Sequence, residues 1–173
     1  MNRLLVYTLI FFLFLNLRVN SNEIIPERET LVQFDGICVQ NIDRLEHISQ
    51  TASNLNWMKI PPGQDAMIAP RVKGPSYQSW GYRYKNGIFL IGINDAENKN
   101  SCSLAAKYSD LNNFKRNLID FYDIKLINKN SQGMQTSEIY KANLQQSDQG
   151  LIVLTYSTEV NYKFISTTVM ISK

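Results

Sequence analysis

The chain contains two cysteines, one histidine and five prolines in 173 residues, and each scarcity removes a class of chemistry. One histidine, His47, with two distant cysteines does not make a zinc site, which needs three or four suitably spaced ligands. No stretch is a Gly-rich phosphate loop of the Walker or dinucleotide type, and no serine lies in a Gly-x-Ser-x-Gly elbow. The carboxylates are scattered: Asp43 and Glu46 read as helix capping, and Asp95 and Glu97 as parts of a turn. No pair is set by local spacing for joint acid and base work. The sequence therefore calls for no metal and no cofactor.

Long apolar runs are also missing, with one exception at the start. Residues 4–17 are apolar apart from Thr8 and Asn16, and follow Arg3. Such a run is short for a bilayer span and matches a secretory signal peptide. Cleavage after Ser21 is expected, making Asn22 the mature N-terminus, with an uncleaved signal anchor as the competing reading. Removing residues 1–21 takes Arg3 and Arg18 and no acidic residue, so 18 Lys and Arg become 16 against 15 Asp and Glu. A nearly neutral chain gives no support to a nucleic-acid partner. Residues 22–173 suit one domain with a sizeable core. The expected location is periplasmic or secreted, with membrane contact only through the signal segment.

In an oxidising compartment Cys38 and Cys102 are the one possible intramolecular pair; the alternative is two buried free thiols. Each cysteine closes a short apolar run, precedes an Asp (Asp43, Asp110) and leads into an amphipathic pattern. The two cysteines are thus expected at equivalent places in two halves of the fold.

Taken in order, residues 22–30 read as a loose lead-in and 31–39 as a strand bent at Gly36. Residues 41–57 place Ile42, Leu45, Ile48, Ala52 and Leu55 in one helical stripe. Asp43 and Glu46 resemble a capping box, and His47 falls on the outer face. Residues 58–78 form a Pro/Gly-rich loop. The runs 79–85 and 88–93 flank Asn86-Gly87, the preferred two-residue hairpin turn, which sets Tyr84 opposite Phe89 and Tyr82 opposite Ile91. A strand over 101–106 leads to a second helix, capped by Ser109 or Asp110, that buries Leu111, Phe114, Leu118, Phe121 and Tyr122. Lys115 falls on its opposite side. Residues 124–127 begin another strand, 128–133 read as a break, and strands over 138–144, 149–157 and 162–171 follow, with Gly150 in a turn. The expected fold is α+β: an antiparallel sheet with two helices on one face, built from two β-α-β-β pseudo-repeats.

Trp80, Tyr82 and Tyr84 alternate onto one strand face and have two readings. As core they are ordinary. As a surface they would form an aromatic interface with Arg71, Lys73 and Arg83 at its margin and Tyr77 beside it. Arg71, Lys73, Tyr77, Trp80 and Arg83 are the candidate binding residues, and the 58–78 loop is a candidate recognition element.

Phe34-x-x-x-Cys38-Val39, Trp57, Pro61-Pro62, Trp80 and Cys102-Ser103-Leu104 together resemble a family of small exported bacterial proteins of unassigned function. The resemblance covers most of the mature chain but rests on structural residues, so it implies export and a paired-cysteine α+β domain without transferring a site. The expected function is a non-catalytic envelope binding protein whose partner is another protein, immunity- or inhibitor-like by analogy of class. The alternative is a small exported hydrolase or cell-envelope enzyme whose site assembles only in three dimensions, with His47 as its most natural base.

Overall fold

A computed structural model of the chain describes residues 24–61, 64, 76–85, 87–157, 159 and 163–173. The expected signal segment and most of the 58–78 loop, Arg71 and Lys73 included, lie outside the described residues. Helix α1 (Glu27–Ile37) is followed by a 3-10 turn (Val39–Asn41) and helix α2 (Leu45–Asn54). Four strands come next: β1 (Met58–Lys59), β2 (Gln78–Tyr84), β3 (Gly87–Ala96) and β4 (Lys99–Lys107). Helix α3 (Leu111–Tyr122) then precedes β5 (Lys125–Gln132), β6 (Gln135–Leu144), β7 (Ser147–Ser157) and β8 (Phe164–Ser172). All pair antiparallel in one sheet of order β1-β2-β3-β4-β8-β7-β6-β5. The α+β class with an antiparallel sheet is as expected, whereas the element order is not: helices lead, and four strands follow each time.

The largest departure is α1, where a strand was expected. Its buried residues are Glu27, Thr30, Leu31 and Phe34, with Cys38 one turn further on, a spacing of three and four that draws one helical stripe. Val32, between them, is exposed. Short apolar runs do not separate strand from buried helix by composition; Pro26 just before the first turn and Glu27 and Glu29 within it are the helix-start signals. Cys38 therefore sits at a helix end while Cys102 lies within β4. The two cysteines form a disulfide, with Cα atoms 5.2 Å apart, from non-equivalent positions.

Helix α2 begins later than its stripe suggested. The 3-10 turn takes up residues 39–41, Arg44 occupies the N-cap position without a side-chain cap, and Asp43 pairs with Arg44 at 3.6 Å. Helix α3 follows expectation more closely. Asp110 Oδ1 accepts from the backbone N–H groups of Asn112 (2.9 Å) and Asn113 (3.1 Å). Glu27 reaches across from α1 to accept from the Ser109 and Asp110 N–H groups at 3.2 and 3.1 Å and from the Ser109 hydroxyl. Burial alone would raise the Glu27 pKa, but these donors together hold it below the usual carboxylate value. The starts of α1 and α3 are thereby tied by a carboxylate.

Two hairpins turn at other residues than expected. Tyr82 opposes Phe89, Trp80 opposes Ile91 and Tyr84 opposes Gly87, so Gly87 belongs to β3 and Lys85, with φ 51°, takes the left-handed turn position. A shift of two residues keeps every side chain on its face, so the apolar pattern cannot choose between the registers. Lys85 Nζ meets both Glu29 carboxylate oxygens at 2.7 Å in the observed register. Gly150 likewise lies inside β7, opposite Ala142 beside a register shift, not in a turn. The presumed break over 128–133 is the body of β5, whose residues are all exposed; the turn comes at Gly133, with φ 58°.

One sheet face carries Phe89, Ile91, Cys102, Leu104, Ile152 and Val169, which join a single apolar core with Leu31, Phe34, Ile48, Phe114 and Leu118 of the helices. Asn100 ties the segment between the 3-10 turn and α2 to this face by donating to the Ile42 carbonyl at 2.8 Å. The alternate residues of the same strands point the other way and are mostly polar: Asn94, Ser101, Ser103, Ser137, Thr168.

Candidate functional site

Of the candidate binding residues, the three that are described, Tyr77, Trp80 and Arg83, do not converge. Trp80 is 5% exposed and packs in the core, so of its two readings it takes that of a core residue. Arg83, three positions on, is exposed on the opposite face, as strand alternation requires. Tyr77 is half-buried at the rim of a cavity on the polar face. His47 is exposed on α2.

Side chains from different elements converge at three places. The first is the β1 edge. Trp57 stacks on Tyr82 with ring centroids 4.5 Å apart and planes 13° apart, and the Tyr82 hydroxyl donates to Gln33 Oε1 at 3.0 Å. Burial, then the neighbouring Tyr84, pushes the Tyr82 hydroxyl pKa up. Around this pair Leu55 and Met58 are 64% and 69% exposed, with Ile88 also at the surface. Leu55, Trp57, Met58, Tyr82, Arg83 and Ile88 line one cleft of about 440 Å³. Strand β1 pairs only with Trp80 and Gly81 of β2, so among the described residues 82–84 have no strand on their outer side. Met58 and Trp57 were not candidates in the sequence; a helix end followed closely by two large apolar residues was the available signal.

The second is a charged cluster between α3 and the sheet. Glu138 on β6 is 4% exposed and accepts from Lys115 Nζ (2.8 Å), Tyr140 (2.7 Å) and Tyr156 (3.0 Å), with Lys129 Nζ at 3.1 Å. Lys115 also donates to the Tyr156 hydroxyl at 2.9 Å and lies 4.2 Å from that ring's centroid. Burial acts to raise the Glu138 pKa, but hydrogen bonds from Lys115, Tyr140, Lys129 and Tyr156 outweigh it and bring it down to about 2. Lys115 was placed on the outer side of α3; it instead spans the gap from helix to sheet, since its long stem lets the ammonium reach a carboxylate at the border of the core. With four donors committed to it, Glu138 is held ionised as a structural anchor and is a poor proton acceptor near neutrality.

The third is the polar face. Here β3 contributes Gly92 and Asn94, β4 Ser101 and Ser103, and β8 Thr168 and Met170; β5 contributes Asn128, Asn130 and Gln132. Together they line a cavity of about 260 Å³, completed by β6, β7 and Tyr77. β3 and β5 are five places apart in the sheet order, roughly 24 Å along it at the usual strand spacing. For both to line one small cavity the sheet must curl strongly.

Comparison with protein-family models, with curated proteins and with solved structures returned no match. Among the described residues no three His, Cys, Asp or Glu side chains are grouped to hold a metal, and no helix is long and apolar enough to cross a membrane.

Proposed function

We propose that this chain is an exported, non-catalytic binding protein of the bacterial envelope whose partner is another protein, in the manner of an immunity protein or inhibitor. The observation that carries the reading is the apolar β1 edge, where Leu55, Met58 and Ile88 stand exposed around the stacked Trp57–Tyr82 pair. Clustered exposed apolar side chains with aromatic and Arg neighbours are the composition of interface centres. The unpaired outer side of residues 82–84 offers backbone groups to an extended segment of the partner. Arg83, which lines the same cleft, supplies a basic margin. The apolar N-terminal run and the Cys38–Cys102 bridge support export to an oxidising compartment, as does the resemblance to small exported bacterial proteins. Two helix-led runs of four strands, meeting at the antiparallel β4–β8 pair, support an internal duplication with the helices on one face of the sheet.

The test is affinity capture with the oxidised protein from envelope and secreted fractions, followed by titration of the purified partner against wild type and Leu55→Asp/Met58→Asp. Two charges placed in an interface centre are expected to weaken binding by roughly a hundredfold. Undiminished affinity in a folded variant would remove this surface from the proposal.

A further inference from the structure

We infer that the cavity on the polar face is a binding site for a neutral, polyhydroxylated ligand of about one ring, a sugar in free form or at the end of a glycan. This site is separate from the β1 edge and does not depend on what binds there.

Every described side chain lining the cavity is uncharged, so an anionic or cationic ligand would exchange hydration for groups that cannot compensate its charge. A purely apolar ligand could lie against Ile93, Ile139, Val153 and Met170, but it would strip water from carboxamides and hydroxyls without replacing those hydrogen bonds. What remains is a neutral ligand that both donates and accepts at many points.

The lining matches that demand group for group. Asn128, Asn130, Gln132 and Gln135 are carboxamides, each carrying a donor end and an acceptor end, the pairing that adjacent sugar hydroxyls require; Asn94 Oδ1 already accepts from Ser76 Oγ at 3.3 Å. Asn94, Ser103 and Thr168 are 4%, 5% and 7% exposed, so they are polar groups placed in the floor of the bowl where most strands bury apolar ones. Ser103 Oγ and Thr168 Oγ1 are 2.8 Å apart across the β4–β8 pair. One hydroxyl donates to the other, which leaves the acceptor's own hydrogen to be given elsewhere. Val153, flanked by Ile139 on β6 and Thr168 on β8, provides an apolar step against which the C–H face of a ring can lie. A volume of about 260 Å³ falls just below the usual range for drug-sized ligands of about 300 to 1,000 Å³, which favours a single ring over an extended oligomer in the pocket.

The test is titration of the isotope-labelled, oxidised protein with glucose, galactose and N-acetylglucosamine, followed by amide chemical shifts. Saturable shifts at residues 92–94, 101–103, 128–132 and 168–170, with millimolar or tighter affinity, are expected for at least one sugar. Glucose 6-phosphate and glucuronic acid, which keep the ring and add charge, should bind roughly tenfold more weakly than glucose. Asn130→Leu on the exposed strand β5 should weaken the bound sugar by about tenfold with unchanged thermal unfolding, whereas His47→Ala should leave it unaltered. Cosedimentation with an insoluble neutral glycan assigns the source as a glycan end; sugar binding without it assigns a free sugar. No saturable shift with any neutral sugar, equal binding of the charged analogues, or shifts confined to the β1 edge would overturn the assignment. So would a protein partner found to occupy the cavity.

Discussion

Lys115 on α3 and Glu138 on β6 meet at 2.8 Å, and with Tyr140 and Tyr156 they form the charged link between the third helix and the sheet. The Glu138 carboxyl is held at about 2 against an ordinary 4.5. A depressed carboxyl contributes its stability in full above about pH 4.5, and that contribution is lost as pH falls toward about 2. The loss expected over that window is of the order of 3 kcal/mol. Denaturant unfolding of wild type and Glu138→Gln, compared between about pH 5 and about pH 2, should show a steeper loss in wild type. Parallel pH profiles would mean that the link does not contribute through its charge.

The Cys38–Cys102 bridge closes a separation of 64 residues. Constraining a loop of that length in the unfolded chain is worth about 4 kcal/mol on the chain-entropy account. Cys38→Ser/Cys102→Ser, or the reduced wild type, should unfold at clearly lower denaturant. Unchanged midpoints would show that the unfolded chain gains little freedom when the bridge is opened.

Gly150 faces a side chain that leaves no room for another. A Cβ there would stand 2.5 Å from Leu144 Cδ1 and 3.1 Å from the Ala142 carbonyl oxygen. Gly150→Ala is therefore expected to destabilise by about 1–3 kcal/mol. Because the obstacle is the Leu144 side chain, Leu144→Ala combined with Gly150→Ala should cost less than the sum of the two single changes. Strict additivity would place the strain in the backbone instead.

Gly36 is the opposite case. It lies within α1, is exposed, and has nothing within 4 Å of where a Cβ would be. Its carbonyl accepts from the Asn41 carboxamide at 3.0 Å, a contact that alanine preserves. Gly36→Ala should stabilise the protein by about 0.5–1 kcal/mol through helix propensity, read as a rise in the unfolding midpoint. A loss would mean that α1 needs the freedom of glycine where it turns toward Cys38.

The legible parts of the fold were those written in short-range pattern. Alternation placed β2, β3, β4, β6, β7 and β8, and Asp110 marked the start of α3, because each depends on the few residues around it. Parity survived where register did not: Tyr82 opposes Phe89 instead of Ile91, yet both registers bury the same side chains. Strand β5 was legible at its start, over 124–127, and hidden beyond it because an exposed run of Asn, Lys, Ser and Gln has no apolar side to reveal it; that run is a strand because β6 pairs with it. The candidate site was less legible still. Trp80 and Arg83 are neighbours in sequence but lie on opposite faces, and the exposed residues of the β1 edge are drawn from a helix end and two strands.

The amino-acid order by itself determined the strand-rich body with interspersed helices, the capped third helix and the pairing partner of each cysteine, since local backbone preference and a count of two thiols suffice for these. Only the tertiary structure decided that residues 27–37 are helical, that Glu138 is an anchored anion, and that Asn94 and the carboxamides of β5 share one cavity. Each of those depends on which distant surfaces meet: α1 on a core stripe completed by the sheet, Glu138 on donors from α3 and three strands, and the cavity on a curl accumulated across six strands.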